Sequence, residues 1–537
     1  MMTPLDSWPR THHELLQHYH AQFDEGIRSG QFRPFVYPSG IFGALVVLIY
    51  LLVPHHHRPW LRRARFLAWV WIAAVAAYSI KYTRAKNMAP AFGLGLISAW
   101  AVIWLMAVLV CNDAQTDFQR IERTEGAFKQ NIKEKGVTNG GAGITQKGRN
   151  ERNGEPKMSS PNGFVEHHEH LGPSKRHGEF AWQPYPLEPF VERLDWVLDV
   201  FCNFRGMGWN WRISSIPPPP KWVQEQLHRN SPNLPQHSHR LHAGQSHAYS
   251  TRRNLILANI KTLLIGYVTL DALKTLMNHD PYFWGLVDHA PPPYFPSLLL
   301  HHPIVLRLYR LAVSQYMIKA SLESIFALAP LFFSGVLGPS LIGARAEPWM
   351  YPEAWGSYWT VFDRGLAGWW ASWWHQTFRF AFEEPSRKLI EMIGMNKRSA
   401  LARALQLVVA FALSGFLHAC GSYTQPGPSR PLLGPMRYFL FQALAIFLEG
   451  YLSIILRRTG IQRRVPKWLM QTFTFAYVHF WFYHTSPLLC DDFARGGIWL
   501  YEPIPISLFR GLGFGVEGDK SWCWGGDWFY PNRNTPV

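Results

Sequence analysis

The sequence predicts an all-α, polytopic integral membrane bundle of about eight or nine spans, with one long polar insertion that is partly disordered. Three observations carry that prediction. Apolar runs of spanning length recur along the 537 residues. Trp occurs 25 times, and the amphipathic indole favours the membrane–water interface. The net charge of +17 gathers in loops beside apolar runs, where anionic headgroups and the positive-inside bias place it. That placement disfavours nucleic acid as the partner of so basic a chain. The mean hydropathy of −0.09 averages the spans with the insertion and does not argue against a membrane.

The elements follow in order. Residues 1–34 form a polar, His-rich arm without the apolar core of a cleavable signal peptide. Apolar runs at 35–53, 66–80 and 91–111 make the N-terminal membrane helices, domain 35–111. The insertion occupies 112–253. Its middle, 138–163, is rich in Gly, Asn, Lys and Glu and reads as disordered. Pro217 to Pro220 is a short spacer, and 236–247 is His-rich.

A membrane core follows over 254–485, with runs at 255–277, 303–342, 401–420, 437–456 and 468–484. Pro330 is expected to break the second of these. The Trp-rich segment 355–382 is amphipathic and lies on or partly in the membrane. The tail 486–537 shows no clear span. Arg62, Arg63 and Arg65, and the late cluster Arg457, Arg458, Arg463, Arg464 and Lys467, are expected to face the cytosol, and the insertion with them. Lys81, Arg84 and Lys86 fall on the other side and pull against this orientation.

Cys111, Cys202, Cys420, Cys490 and Cys523 are scattered and contain no Cys-x-x-Cys pair, so neither a disulfide framework nor a metal site is expected. His167 to His170 and His55 to His57 read as solvated polar clusters, and Glu323 and Glu449 as packing partners within apolar runs.

Two stretches carry chemistry. The first is Leu413-Ser-Gly-Phe-Leu-His418-Ala. An ionisable imidazole deep in a spanning helix is costly and is usually functional. Ser414 lies one turn earlier on the same face, and Gly415 thins the helix there. Taken alone, His418 serves equally well as a hydrogen-bonding group between helices. The second is Trp369-Trp-Ala-Ser-Trp-Trp374-His375-Gln376-Thr-Phe-Arg379. On a helix, Trp370 and Trp374 would share one face, and His375 and Arg379 another. The Trp residues read as an interfacial belt.

Together with Arg205-Gly-Met-Gly-Trp-Asn210-Trp, these motifs resemble the wax-synthase-like branch of the membrane-bound O-acyltransferases. More narrowly they resemble its fungal members that acetylate terpenoid and other secondary-metabolite alcohols. The resemblance covers roughly residues 190–485, with the early spans similar in general character. It implies that His418 is the catalytic base and His375 its polar companion, a position held by Asn or His in different branches. Trp374 and Gln376 match the flanks, and Arg205 and Asn210 the upstream motif. The basic residues common before Trp-His are replaced by Ala371-Ser372-Trp373, which leaves Arg379 as the residue offered to the CoA phosphates.

The chemistry implied is direct transfer from acetyl-CoA, a co-substrate, to a lipophilic alcohol, without a bound cofactor. His418 would take the hydroxyl proton, and His375 would stabilise the oxyanion. Trp374, Gln376, Arg379, Ser414, Arg205 and Asn210 would bind the substrates. The expected location is the endoplasmic reticulum membrane. A long-chain wax-ester or sterol-ester synthase is the alternative within the class. A membrane transporter is the alternative outside it.

Overall fold

Continuous apolar sequence in lipid must satisfy its own backbone, and helices do so. The computed structural model describes residues 9–55, 57–123, 178–231 and 246–524. Among these, six helices are long and apolar enough to cross a membrane: Pro59–Tyr82, Met88–Cys111, Arg252–His279, Pro303–Ala346, Ala400–Tyr423 and Leu432–Arg458. Apolar side chains point outward from them, among them Leu67, Leu264, Ile265, Phe447 and Leu452, as contact with lipid tails demands. Two further expected spans are shorter or more polar. The Tyr37–Leu52 helix has 16 residues. The Lys467–Thr485 helix has 19, but Gln471, His479 and His484 interrupt its apolar character. The disordered stretch 138–163, the His167 to His170 cluster and residues 236–245 lie outside the described residues.

Local breaks differ from the sequence expectation at two places. Helix Pro303–Pro330 does not stop at its proline but continues as a wide turn over Leu331–Leu337. The break comes at Gly338, whose φ of 70° is open to glycine and costly for other residues. The Trp-rich segment is not one amphipathic helix. Helix Trp359–Gly368 is kinked at Gly365, a wide turn follows over Trp369–Trp373, and a new helix starts at Arg379–Met392.

The described parts of the insertion dock on the early spans. Strand Arg120–Arg123 pairs antiparallel with Phe180–Gln183. Helices Phe190–Cys202 and Lys221–Asn230 cover them, and buried Trp196, Trp209 and Phe180 join a core that includes Trp104 and Leu105. Arg120 is buried there against Asp195 at 2.8 Å and Asp199 at 3.3 Å. Arg345, in the last turn of the crossing segment Pro303–Ala346, also grips Asp195. A buried cation needs such partners, since a lone charge would cost several kcal/mol.

Helices Pro59–Tyr82 and Met88–Cys111 run antiparallel, and Arg62 meets Asp113 at 2.6 Å where the second one ends. The basic first loop and the insertion therefore share one end of the bundle, as expected from charge. His55, read as a solvated stop, is instead buried, with Nε2 3.1 Å from Asp113. The carboxylate meets one of its two ring nitrogens. At the opposite end, Lys86 pairs with Asp24 of the N-terminal helix His12–Arg28 at 3.1 Å.

Candidate active site

His418 rides on helix Ala400–Tyr423, which starts with Ser399 accepting a bond from Ala402 N–H at 3.0 Å. Small residues let its neighbours close in. A Cβ at Gly415 would fall 2.9 Å from Met436 Sδ, and one at Gly95 would fall 1.9 Å from the Cys420 carbonyl oxygen. Thr424 then ties the helix to the Ala91 carbonyl at 2.7 Å. The imidazole is half-buried against Phe439, with ring centroids 4.6 Å apart.

His418 Nδ1 lies 2.9 Å from the Ser414 carbonyl oxygen. A carbonyl only accepts, so Nδ1 carries the proton and Nε2 is the ring's free acceptor. Nε2 has no hydrogen-bond partner among the described residues and is not sealed off from open space. Ser414 contributes its backbone here rather than its hydroxyl.

His375 lies in the break between Trp373 and Arg379, caged by Trp355, Trp374, Phe378 and Phe326 at centroid distances of 5.5–5.7 Å. Its Nδ1 is buried without a partner. Burial drives the imidazole down to about 3, with His418 and Arg205 acting in the same direction. An aromatic wall connects the two histidines: Phe439 to Trp370 at 5.9 Å, Trp370 to Trp374 at 6.0 Å, and Trp374 to His375 at 5.5 Å.

The helical-face reading of 369–379 does not survive this geometry. Trp374 is extended, so His375 and Arg379 do not stack one turn apart. Gln376 explains the break. Its amide Nε2 donates to the carbonyls of Trp370 at 2.8 Å and Trp374 at 2.6 Å, taking up acceptors that an ended helix leaves open. Its Oε1 accepts from Arg379 at 3.2 Å. Arg379 also reaches Glu383 at 2.7 Å and the Ala371 carbonyl at 3.2 Å. Both side chains brace the chain around His375.

The upstream motif works similarly. Gly206 and Gly208 have φ of 70° and 72°, and the turn they form lets Asn210 bind Gln119 N–H at 3.1 Å and the Asp117 carbonyl at 2.8 Å. Arg205 reaches the carbonyls of Pro352 at 2.7 Å and Glu353 at 3.0 Å, just before Trp355 of the His375 cage.

Comparison with known proteins agrees with these motifs. Residues 351–441, which hold both histidines, match the model of the membrane bound O-acyl transferase family. O-Mevalon transferase yanI of Aspergillus niger is 25% identical over 311 residues, 55% of this chain and 61% of that protein. O-Mevalon transferase macI of Penicillium terrestre is 26% identical over 48% of this chain and 53% of its own length. Acetyltransferase ple2 of Rhodocybe pseudopiperita is 24% identical over 60% and 73%. Over residues 351–441, and through relatives of this kind, the chain is similar to the membrane bound O-acyl transferase family. It spans a little over half the length of the first two relatives, and no solved structure matches it. Its six apolar helices of spanning length, together with that likeness, mark an integral membrane protein.

Other residues that shape the candidate site were not assigned to it from sequence. Glu449 was expected only to pack. It accepts from Leu366 N–H at 3.0 Å and Ala367 N–H at 2.9 Å, holding the kink at Gly365 that aims the Trp wall. A carboxylate alone in an apolar run, eighty-odd residues after a mid-helix glycine, was the available signal. Tyr358 meets His479 Nε2 at 3.1 Å and anchors the other side of the same turn.

Proposed function

We propose that this chain is an acyl-CoA-dependent O-acyltransferase that moves an acetyl group from acetyl-CoA to the hydroxyl of a lipophilic, terpenoid-like secondary metabolite in the endoplasmic reticulum membrane. The supporting observation is the His418 tautomer, with Nδ1 held by the Ser414 carbonyl and Nε2 bare. The family-model match over residues 351–441 and relatives named acetyltransferase support the reaction class.

In this reading the substrate hydroxyl gives its proton to His418 Nε2 as its oxygen attacks the thioester carbonyl. A ring N–H of His375 donates to the developing oxyanion. Collapse of that intermediate breaks the C–S bond. The CoA sulfur leaves, and the proton on His418 neutralises it. The apolar cage excludes water, which would otherwise compete as acceptor. Gln376 and Arg379 position His375, Arg205 braces the Trp355 side of the cage, Asn210 ties the upstream turn to residues 117–119, and Trp374 and Ser414 border the two rings.

Two relatives are named O-mevalon transferase, so a donor acyl group larger than acetyl is the second reading. Membranes containing the chain, labelled acetyl-CoA and a library of lipophilic alcohols test the proposal. Labelled ester that requires His418 supports it. Transport of an alcohol with no ester formed overturns it, and ester formed only from larger acyl-CoA donors selects the second reading.

A further inference from the structure

We infer that the chain carries a divalent-cation site, of the zinc type, that clamps its N-terminal helix to its C-terminal tail. The ligands are His12, His13 and Asp519. They went unnoticed in the sequence because His13 and Asp519 are 506 positions apart.

Asp519 Oδ1 lies 3.0 Å from His13 Nε2 and 3.3 Å from His12 Nε2, and one donor atom from each residue falls within 4.8 Å of the others. Bonds of about 2.0–2.1 Å around a tetrahedral zinc place adjacent donors roughly 3.3 Å apart. The spacings fit that edge. The donor chemistry fits too, since two imidazoles and one carboxylate suit a borderline metal such as zinc.

A second observation points to a ligand. His12 is 2% exposed, yet neither of its ring nitrogens has a hydrogen-bond partner. Its Nε2 faces Asp519 Oδ1 without the alignment of a hydrogen bond. Burying an imidazole in that state is unfavourable, and a cation shared with His13 and Asp519 would satisfy it.

The carboxylate is held for the task. Asp519 Oδ2 accepts from Val516 N–H at 3.2 Å and Asn278 Nδ2 at 3.3 Å, which turns Oδ1 alone toward the imidazoles. His13 is 39% exposed, and a cleft of about 390 Å³ bordered by Thr11, Asn278, Val516 and Glu517 lies alongside. The part-exposed ring of His13 leaves the site open to solvent on that side. The clamp would join the start of helix His12–Arg28, the end of helix Arg252–His279 and the tail. It does not depend on the acyltransferase reading.

The test uses the full chain purified in detergent, stripped with a chelator, reloaded with zinc and washed. Bound metal is measured by mass spectrometry beside the His13→Ala variant, whose changed side chain is part-exposed and leaves the core intact. The expected result is one zinc per chain more in the unchanged protein than in His13→Ala. Zinc should also raise the unfolding midpoint of the unchanged protein and leave that of His13→Ala unmoved. Equal zinc content in the two proteins, or equal midpoint shifts, would overturn the proposal. Other histidine clusters cannot imitate the expected outcome, because both proteins share them.

Discussion

Replacing Gln376 separates two roles that a polar residue beside a catalytic histidine can play. Its Nε2 donates both protons, to the carbonyls of Trp370 and Trp374, and its Oε1 accepts from Arg379. Gln376→Ala leaves two carbonyls of a buried turn without a donor. Each stranded carbonyl costs about 1–3 kcal/mol, so the turn loses roughly 2–6 kcal/mol. A shift of about 1 Å at a reacting group can lower rate by ~10²-fold. The expected outcome is therefore a fall of roughly 10²-fold in kcat, with KM for acetyl-CoA little changed. Gln376→Glu keeps the shape and the Arg379 contact but points oxygen at oxygen, so it should be no better than alanine. Steady-state transfer with purified protein in lipid reads both constants. A raised KM with kcat intact would refute the reasoning, because the amide would then be touching CoA itself. Full activity of Gln376→Glu would refute it as well.

Other expectations follow from the same structure. Gly365→Ala meets a φ of 57° and puts its methyl 1.7 Å from Glu449 Oε1 and 2.0 Å from the Tyr477 hydroxyl. Backbone strain of about 1–3 kcal/mol plus the displaced Glu449 should lower the thermal midpoint and the activity, and an unchanged midpoint would contradict the kink assignment. His375→Ala should cost roughly 10²–10³-fold in kcat through the lost donor. His375→Asn, which keeps an N–H, should recover part of that, and equal rates for the two would remove the oxyanion role. Burial pushes the Asp195 carboxyl up, but Arg120 and Arg345 outweigh it and hold it at about 2. A carboxylate held below its unfolded value of about 3.9 gives full stabilisation above that value and loses it as pH falls toward 2. Asp195→Asn should thus flatten the acid limb of unfolding midpoint against pH, and an identical limb would show that Asp195 contributes nothing to it.

The sequence displayed the spans well where a single rule governed them. Helix Ala400–Tyr423 follows from its apolar run, and the burial of His418 follows from that helix. The pairing of His418 with His375 as one candidate site came from paired motifs rather than periodicity, and an aromatic wall links the two rings. Periodicity failed at 369–379 because it assumes a continued helix, whereas the Gln376 side chain replaces backbone donors and ends one. Pro330 misled for the opposite reason, since a widened turn absorbs its missing donor and Gly338 makes the break. Partnerships across long chain separation were hidden: His55 with Asp113, Glu449 with the Gly365 kink, and His12 with Asp519. Each joins residues whose local sequence looks ordinary, and only packing brings them together.

In the proposed reaction, the bare Nε2 of His418 is the group that accepts the hydroxyl proton. The most direct test of that role compares the metabolites of cells carrying the unchanged chain with those of cells carrying His418→Ala at equal membrane abundance. The unchanged chain should yield an acetylated lipophilic product, and the variant should accumulate the same compound one acetyl group lighter. A variant that is stable in membranes and still makes the ester at the normal rate would contradict the account.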